Sequence, residues 1–292
     1  MVMVTFSNGK SVGMDGYLKS NLDIAKETIK RDLDHVFCVA GDERVGKSSL
    51  AFQCAAYCDE TFCANWERRV HFTPENFLEG IKNSQPYEAH VYDEAMTGLS
   101  SRESMSRMNK TLQKVLAEVG QRNLFIFICI PDFFSLDSYI ALHRSRCLLL
   151  VYFGERFSRG RFAFFGKDKK RNLYFLGKKL HNQKAVNPDF RGSFSGEYVV
   201  DETKYRGMKS EALRLHSLDW GVQNRNVDLN KFGCLLSWLI KDKSFHYEDI
   251  KAGMQKFGIE MSYDALRKVV YRYTSTYLSD KDLMIQGRGE RV

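Results

Sequence analysis

Residues 35–59, HVFCVAGDERVGKSSLAFQCAAYCD, constrain the fold more than any other part of the chain. His35 to Ala40 is a short continuous apolar run, which is how a strand buried on both faces of a parallel sheet reads. It stops at Gly41, and from Lys47 to Asp59 the apolar residues recur at helical spacing, with Leu50, Cys54 and Cys58 four apart. A strand, a glycine-punctuated loop and a helix in that order make a cradle for an anion. Gly41 and Gly46 let the backbone wrap closely, and the amides of the loop and of the helix start point inward. Within Gly41-Asp42-Glu43-Arg44-Val45-Gly46-Lys47-Ser48-Ser49, Lys47 is placed to reach outer phosphates and Ser48 to offer its hydroxyl to Mg²⁺. The pattern G-x-x-x-x-G-K-[ST] arises by composition alone in about one chain of this length in a hundred. The expectation is a site for ATP with Mg²⁺.

A second acidic signal lies some way downstream. Ala89-His90-Val91-Tyr92-Asp93-Glu94 reads as a short strand ending in adjacent acids. Asp93 would join the Mg²⁺ shell from the sheet edge, while Glu94, aimed differently, would polarise the attacking water. Lys47 and Glu94 are therefore the expected catalytic pair.

The surrounding pattern alternates strand and helix. A strand is expected around Arg69 to Phe72, and a helix opened by Thr73-Pro74-Glu75 follows it, with proline at the first helical position. From Ser101 to Gln121, Met105, Met108, Leu112, Val115, Leu116 and Val119 form one apolar stripe of a long helix. Phe125 to Ile130 and Cys147 to Phe153 read as two more buried strands. The economical fold is α/β, a mostly parallel sheet covered on both faces.

After Phe153 the pattern changes. Arg161 to Phe165 and Asn172 to Leu176 read as aromatic strands flanking Gly166-Lys167-Asp168-Lys169-Lys170-Arg171, a basic β-hairpin within 155–185. The net charge of the chain is +8, and residues 155–185 carry ten basic residues against two acids. Such a patch suits a phosphate backbone, with Lys167, Lys169, Lys170 and Arg171 as contacts, or else it is a solvated tip. Residues 1–215 then form the nucleotide domain, 216–229 a polar linker, and 230–292 a small helical domain. Its third helix carries Arg267, Lys268 and Arg272 among tyrosines, a helix-turn-helix or winged-helix-like pattern suited to DNA, with a packing bundle as the alternative.

Composition removes other classes. At 292 residues and 43% hydrophobic the chain can bury a proper core. No apolar run reaches membrane-spanning length, and the amino-terminal MVMVTFSNGKSVGMDG lacks the order of a signal peptide, so a cytoplasmic protein is expected, in host cytoplasm if viral. Cys54, Cys58, Cys63 and His71 could be drawn as a zinc set, but no CxxC pair is present and the cysteines sit in apolar segments.

Together GDERVGKSSLAFQ, VYDEAMTGLSSRESM, QRNLFIFICIPDFFSLDSYIALHRSR and FRGSFSGEYVVDETKYRGMK resemble the additional-strand, catalytic-glutamate P-loop ATPases of phages, archaeal viruses and mobile elements, many of them zonular occludens toxin-like. The resemblance covers about residues 30 to 210. It implies a RecA-like core related to septal DNA translocases and viral genome-packaging ATPases, often a homo-oligomeric hexameric ring that moves DNA on ATP hydrolysis. A viral portal or transfer-complex protein is an implied partner. Pro131-Asp132 stands where the translocases carry a polar residue that senses the γ-phosphate. Arg102, Arg107, Arg144 and Arg146 stand where fingers that reach a neighbouring subunit's phosphates come from. Two rival readings stay open: an ATP-controlled DNA-binding regulator with slow turnover, and a phage-assembly ATPase, although the latter carry a membrane-spanning segment.

Overall fold

The computed structural model describes residues 1–93, 102–119 and 122–214 and, beyond them, residues 235, 236, 239, 246–256, 262, 266 and 268; the side chains of 102–108, 118 and 119 are outside this description. The chain divides into two compact units, residues 1–214 and 215–292.

The first unit is built on a seven-stranded sheet of order β4-β5-β6-β3-β7-β8-β9. Its strands are β3 (His35–Ala40), β4 (Val70–His71), β5 (Ala89–Asp93), β6 (Phe125–Ile130), β7 (Ser145–Tyr152), β8 (Arg161–Phe165) and β9 (Phe190–Ser193). The first five in spatial order are parallel, and β8 and β9 extend the sheet antiparallel. Every residue of β3 and β6 is buried, because each strand offers both its faces to helices. Phe37, Val39, Phe127 and Cys129 point into one core layer; Val36, Cys38, Ile126 and Ile128 point into the other. Phe37 stacks on Phe127 with ring centroids 4.8 Å apart. This mostly parallel, doubly covered sheet is compatible with a RecA-like fold.

One layer holds α1 (Gly16–Thr28), α2 (Lys47–Cys58), α3 (Phe62–Arg69) and the helix 202–214, here α7; the other holds α4 (Pro74–Lys82), α5 (Arg102–Val119) and α6 (Lys167–Leu180). Local chemistry starts several of them. Asp15 caps α1 by accepting from the amides of Tyr17 and Leu18, and Thr73 caps α4 with Pro74 at its first position. An amino-terminal hairpin, β1 (Val2–Thr5) and β2 (Ser11–Met14), turns at Asn8-Gly9. Gly9 supplies the positive φ, 79°, that the reversal needs.

One element departs from expectation. Asn172 to Leu176 is not a strand, and there is no hairpin with a basic tip at 166–171: the residues from Lys167 to Leu180 form α6. Aromatic residues on both sides of a charged stretch imitate two strands, but Lys170, Leu173, Tyr174 and Gly177 recur at helical spacing, and these are the buried ones. The antiparallel partners of β8 are β7 and β9, with α6 in the connection from β8 to β9.

In the second unit, α8 (Tyr247–Lys256) matches the expected second helix, and Leu236, Ile250, Met254 and Leu266 pack as a small core. The linker 216–229 lies outside the described residues.

Candidate nucleotide site

The site forms where β3 and β5 end, with β6 between them. Gly41 leaves β3 at φ +146°, and a Cβ there would stand 2.1 Å from the Val151 carbonyl oxygen, so only glycine lets the loop cross the end of β7. Arg44 and Gly46 also have positive φ, 61° and 106°, which curls residues 41–46 before α2 begins. Asp42, Glu43 and Arg44 are exposed, whereas Val45 is buried and pins the loop to the core. No side chain caps the start of α2, which leaves its first-turn amides unclaimed by side chains.

Lys47 arches back over this loop. Its Nζ donates to the carbonyls of Gly41 at 2.7 Å and Asp42 at 2.6 Å, and burial pushes its ammonium below the ordinary lysine value. The next residue faces the sheet. Ser48 Oγ donates to Asp93 Oδ2 at 3.0 Å, across the width of β6, and Asp93 is only 2% exposed. A hydroxyl and a carboxylate so paired are an oxygen-only donor set that fits a hard dication. Among the described residues no cluster of three or more His, Cys, Asp or Glu could hold a metal. Mg²⁺ needs none, because it keeps waters and takes phosphate oxygens as most of its ligands.

Two residues that sequence reasoning missed complete the site. The Tyr205 hydroxyl and Lys209 Nζ, the latter at 3.0 Å, also donate to Asp93 Oδ2. Burial and the adjacent Asp93 push the Tyr205 phenol far above its ordinary pKa, so it stays a donor. Tyr205 and Lys209 are one helical turn apart on α7, more than a hundred residues beyond Asp93. The only local signal is that i, i+4 spacing.

The segment before α7 lies along α2. Ser49 Oγ donates to the Glu197 carbonyl at 3.0 Å, and Gln53 Nε2 donates to the carbonyls of Ser195 at 2.6 Å and Glu197 at 2.9 Å. The amino-terminal hairpin holds this segment in turn: Asn8 Nδ2 donates to the Val199 carbonyl at 2.7 Å, and Lys10 Nζ to those of Tyr198 and Val200 at 3.1 and 3.0 Å.

The other expected site residues do not join this geometry among the described side chains. Glu94 lies outside the described residues. Arg102 and Arg107 are in the first turns of α5, and their side chains lie outside them too. Arg144 and Arg146 sit at the amino-terminal edge of the sheet, since Ser145 pairs with Val36, about four residues or roughly 13 Å of strand from the end of β3. Arg146 is exposed there, while Arg144 is held by Asp34 and the Leu116 carbonyl. Asp132, at the end of β6, accepts from the Phe134 amide at 3.2 Å and so opens a short turn.

Of the basic residues on α6, Lys167 and Arg171 are exposed and Lys169 pairs with Asp189 at 3.2 Å. Lys170 presents no charge to a surface ligand. It is fully buried, donating to the Ser145 carbonyl and, at 2.6 Å, to Ser145 Oγ. In the second unit Lys268 is helical and exposed, and Arg267 and Arg272 lie outside the described residues.

Comparison with protein-family models, curated proteins and solved structures found no significant match. Among the described residues no helix is long and apolar enough to cross a membrane.

Proposed function

We propose that the chain is a Mg²⁺-dependent ATPase acting on DNA, of the additional-strand, catalytic-glutamate P-loop class, and that it works as a homo-oligomeric translocation or genome-packaging motor of a virus or mobile element. One arrangement carries the reading. A left-handed glycine loop, its lysine turned inward, and a Ser48–Asp93 pair 3.0 Å apart meet at the carboxyl ends of two strands separated by a third. Backbone amides of residues 41–48 would bind the phosphates, and Lys47 would exchange its two carbonyl partners for phosphate oxygens. Ser48 and Asp93 would hold Mg²⁺, which when bound draws charge from the outer phosphates. Glu94, next in sequence to Asp93, would take the proton of the attacking water.

The regulator reading keeps one specific support. Asp132 occupies the end of the strand between the loop and the acid, and its carboxylate is engaged with the Phe134 amide rather than turned to a ligand. An ATPase assay with wild type, Lys47→Ala and Glu94→Gln, each with and without duplex and single-stranded DNA, tests both. A motor gives turnover strongly stimulated by any sequence; a regulator turns over slowly and prefers one site. Loss of binding in Lys47→Ala and retained binding without hydrolysis in Glu94→Gln are expected. A wild-type protein that binds no ATP, or a Glu94→Gln variant that hydrolyses at the wild-type rate, sinks the assignment.

A further inference from the structure

We infer that Lys209 and a divalent cation compete for one oxygen of Asp93, so that helix α7 loosens when a metal-bound nucleotide takes the site. The inference rests on the nucleotide reading above and adds a positioning residue to it.

Asp93 Oδ2 accepts from Ser48 Oγ at 3.0 Å, from Lys209 Nζ at 3.0 Å and from the Tyr205 hydroxyl. Three donors exhaust what one carboxylate oxygen can accept. A dication that takes this oxygen would have to displace one of them, and the ammonium is the one that it also repels, within about 4 Å. Lys209 has room to leave. Its side chain is 29% exposed, and its other contacts are the Tyr205 hydroxyl at 3.3 Å and the face of the Tyr205 ring, 5.8 Å away.

What holds α7 otherwise is unevenly spread. Tyr205 is buried and meets Phe52 edge-on at 5.0 Å, so the first turns are anchored. Met208, Ala212 and Leu213 are only half-buried against the core. Arg206 pairs with Glu202 within the helix itself. Among the described residues the Lys209–Asp93 pair ties the second half of α7 to the sheet, and a cation that replaces it removes that tie.

The test uses ADP and Mn²⁺, followed by electron paramagnetic resonance, on the whole chain. If Lys209 is the competitor, Lys209→Met binds Mn²⁺ in the ADP complex about fivefold more tightly than wild type, the worth of a part-buried ion pair removed from the competition. A lysine that merely braces the fold would leave that affinity unchanged or weaken it, and either result overturns the inference. Amide hydrogen exchange over residues 202–214 in the unaltered protein gives a second reading that needs no variant. Exchange should be faster with ADP and Mg²⁺ than with ADP and EDTA, and equal rates reject the competition even if Lys209→Met fails to fold. A wild-type protein that binds no ADP under either condition takes the nucleotide reading down together with this one. One that binds ADP and Mn²⁺ with neither change takes down the Lys209 competition alone.

Discussion

Arg144 Nη2 donates to Asp34 Oδ2 at 2.8 Å and to the Leu116 carbonyl at 2.5 Å, tying the start of β7 to the approach to β3 and to α5. An arginine committed in this way, at the end of the sheet opposite the glycine loop, acts as a brace. Arg144→Ala should cost about 3 kcal/mol in urea denaturation, because it leaves a buried carboxylate and a carbonyl without their donor. Mixed with Lys47→Ala subunits it should restore no ATPase activity. Rescue by that mixture would instead show that Arg144 crosses a subunit interface.

Lys170 and its neighbours on α6 divide the same way. If DNA contacts this helix, Lys167→Ala with Arg171→Ala should weaken binding to every sequence alike and reduce the slope of log affinity against log salt by about two. Lys170→Ala should leave that slope untouched and cost about 3 kcal/mol of stability, since it opens a cavity and orphans the Ser145 carbonyl. An unchanged slope in the double variant would leave the exposed residues as solvated surface.

His71 and His90 are stacked, with Nε2 of the first 3.0 Å from Nδ1 of the second. Burial lowers His71 to about 4, and burial together with His71 and Arg69 lowers His90 to about 3. Glu88, 3.7 Å from His90 Nε2, does not offset this. Well above pH 6.5 both rings are neutral in folded and unfolded chain alike, and their contribution is constant. As pH falls from 6.5 to 4 the unfolded chain takes up protons that the fold refuses, so stability falls. Each ring removes up to about 1.4 kcal/mol for every pH unit crossed in that window. Chemical denaturation at several pH values should show this limb, flattened in a His71→Gln, His90→Gln double variant. A limb of equal slope in that variant would assign the acid sensitivity to other groups.

The two loop glycines should fail differently. Gly41→Ala drives a Cβ into the Val151 carbonyl and should lower stability and nucleotide affinity together. At Gly46 the nearest atom to an added Cβ is 3.3 Å away, on the Phe194 ring, so Gly46→Ala should lose less stability than Gly41→Ala, its loss coming from the φ of 106°, while still losing affinity. Thermal melts paired with titration of a fluorescent nucleotide separate the two, and equal loss of both in both variants would contradict it.

Legibility in the sequence follows the range of the interactions. The run His35 to Ala40, the helix start at Thr73-Pro74 and the stripe around Leu112, Val115 and Leu116 are set by neighbours, and each sits where its pattern says. Lys167 to Leu180 misleads because Tyr174 and Phe175 echo the aromatic strand Phe162 to Phe165, and only the period of the buried residues separates helix from strand. Tyr205 and Lys209 are invisible for a different reason: what brings them to Asp93 is the packing of α7 against Phe52 of α2, a relation between segments that no local window contains.

The hydrogen bonds from Asn8 and Lys10 to the segment 198–200 bear on the order in which the molecule can be made. On a ribosome, the hairpin of residues 2–14 emerges early and must wait for some 190 further residues before its partner appears. The glycine loop and Asp93 are by then long synthesised, but the strip that flanks α2 is not. A nascent chain therefore has a phosphate cradle before it has the wall beside it, and that wall closes only when its earliest and latest pieces meet. Slowing translation near residue 200 should prolong that half-built interval, in which α2 shows its flank to whatever else is in the cell.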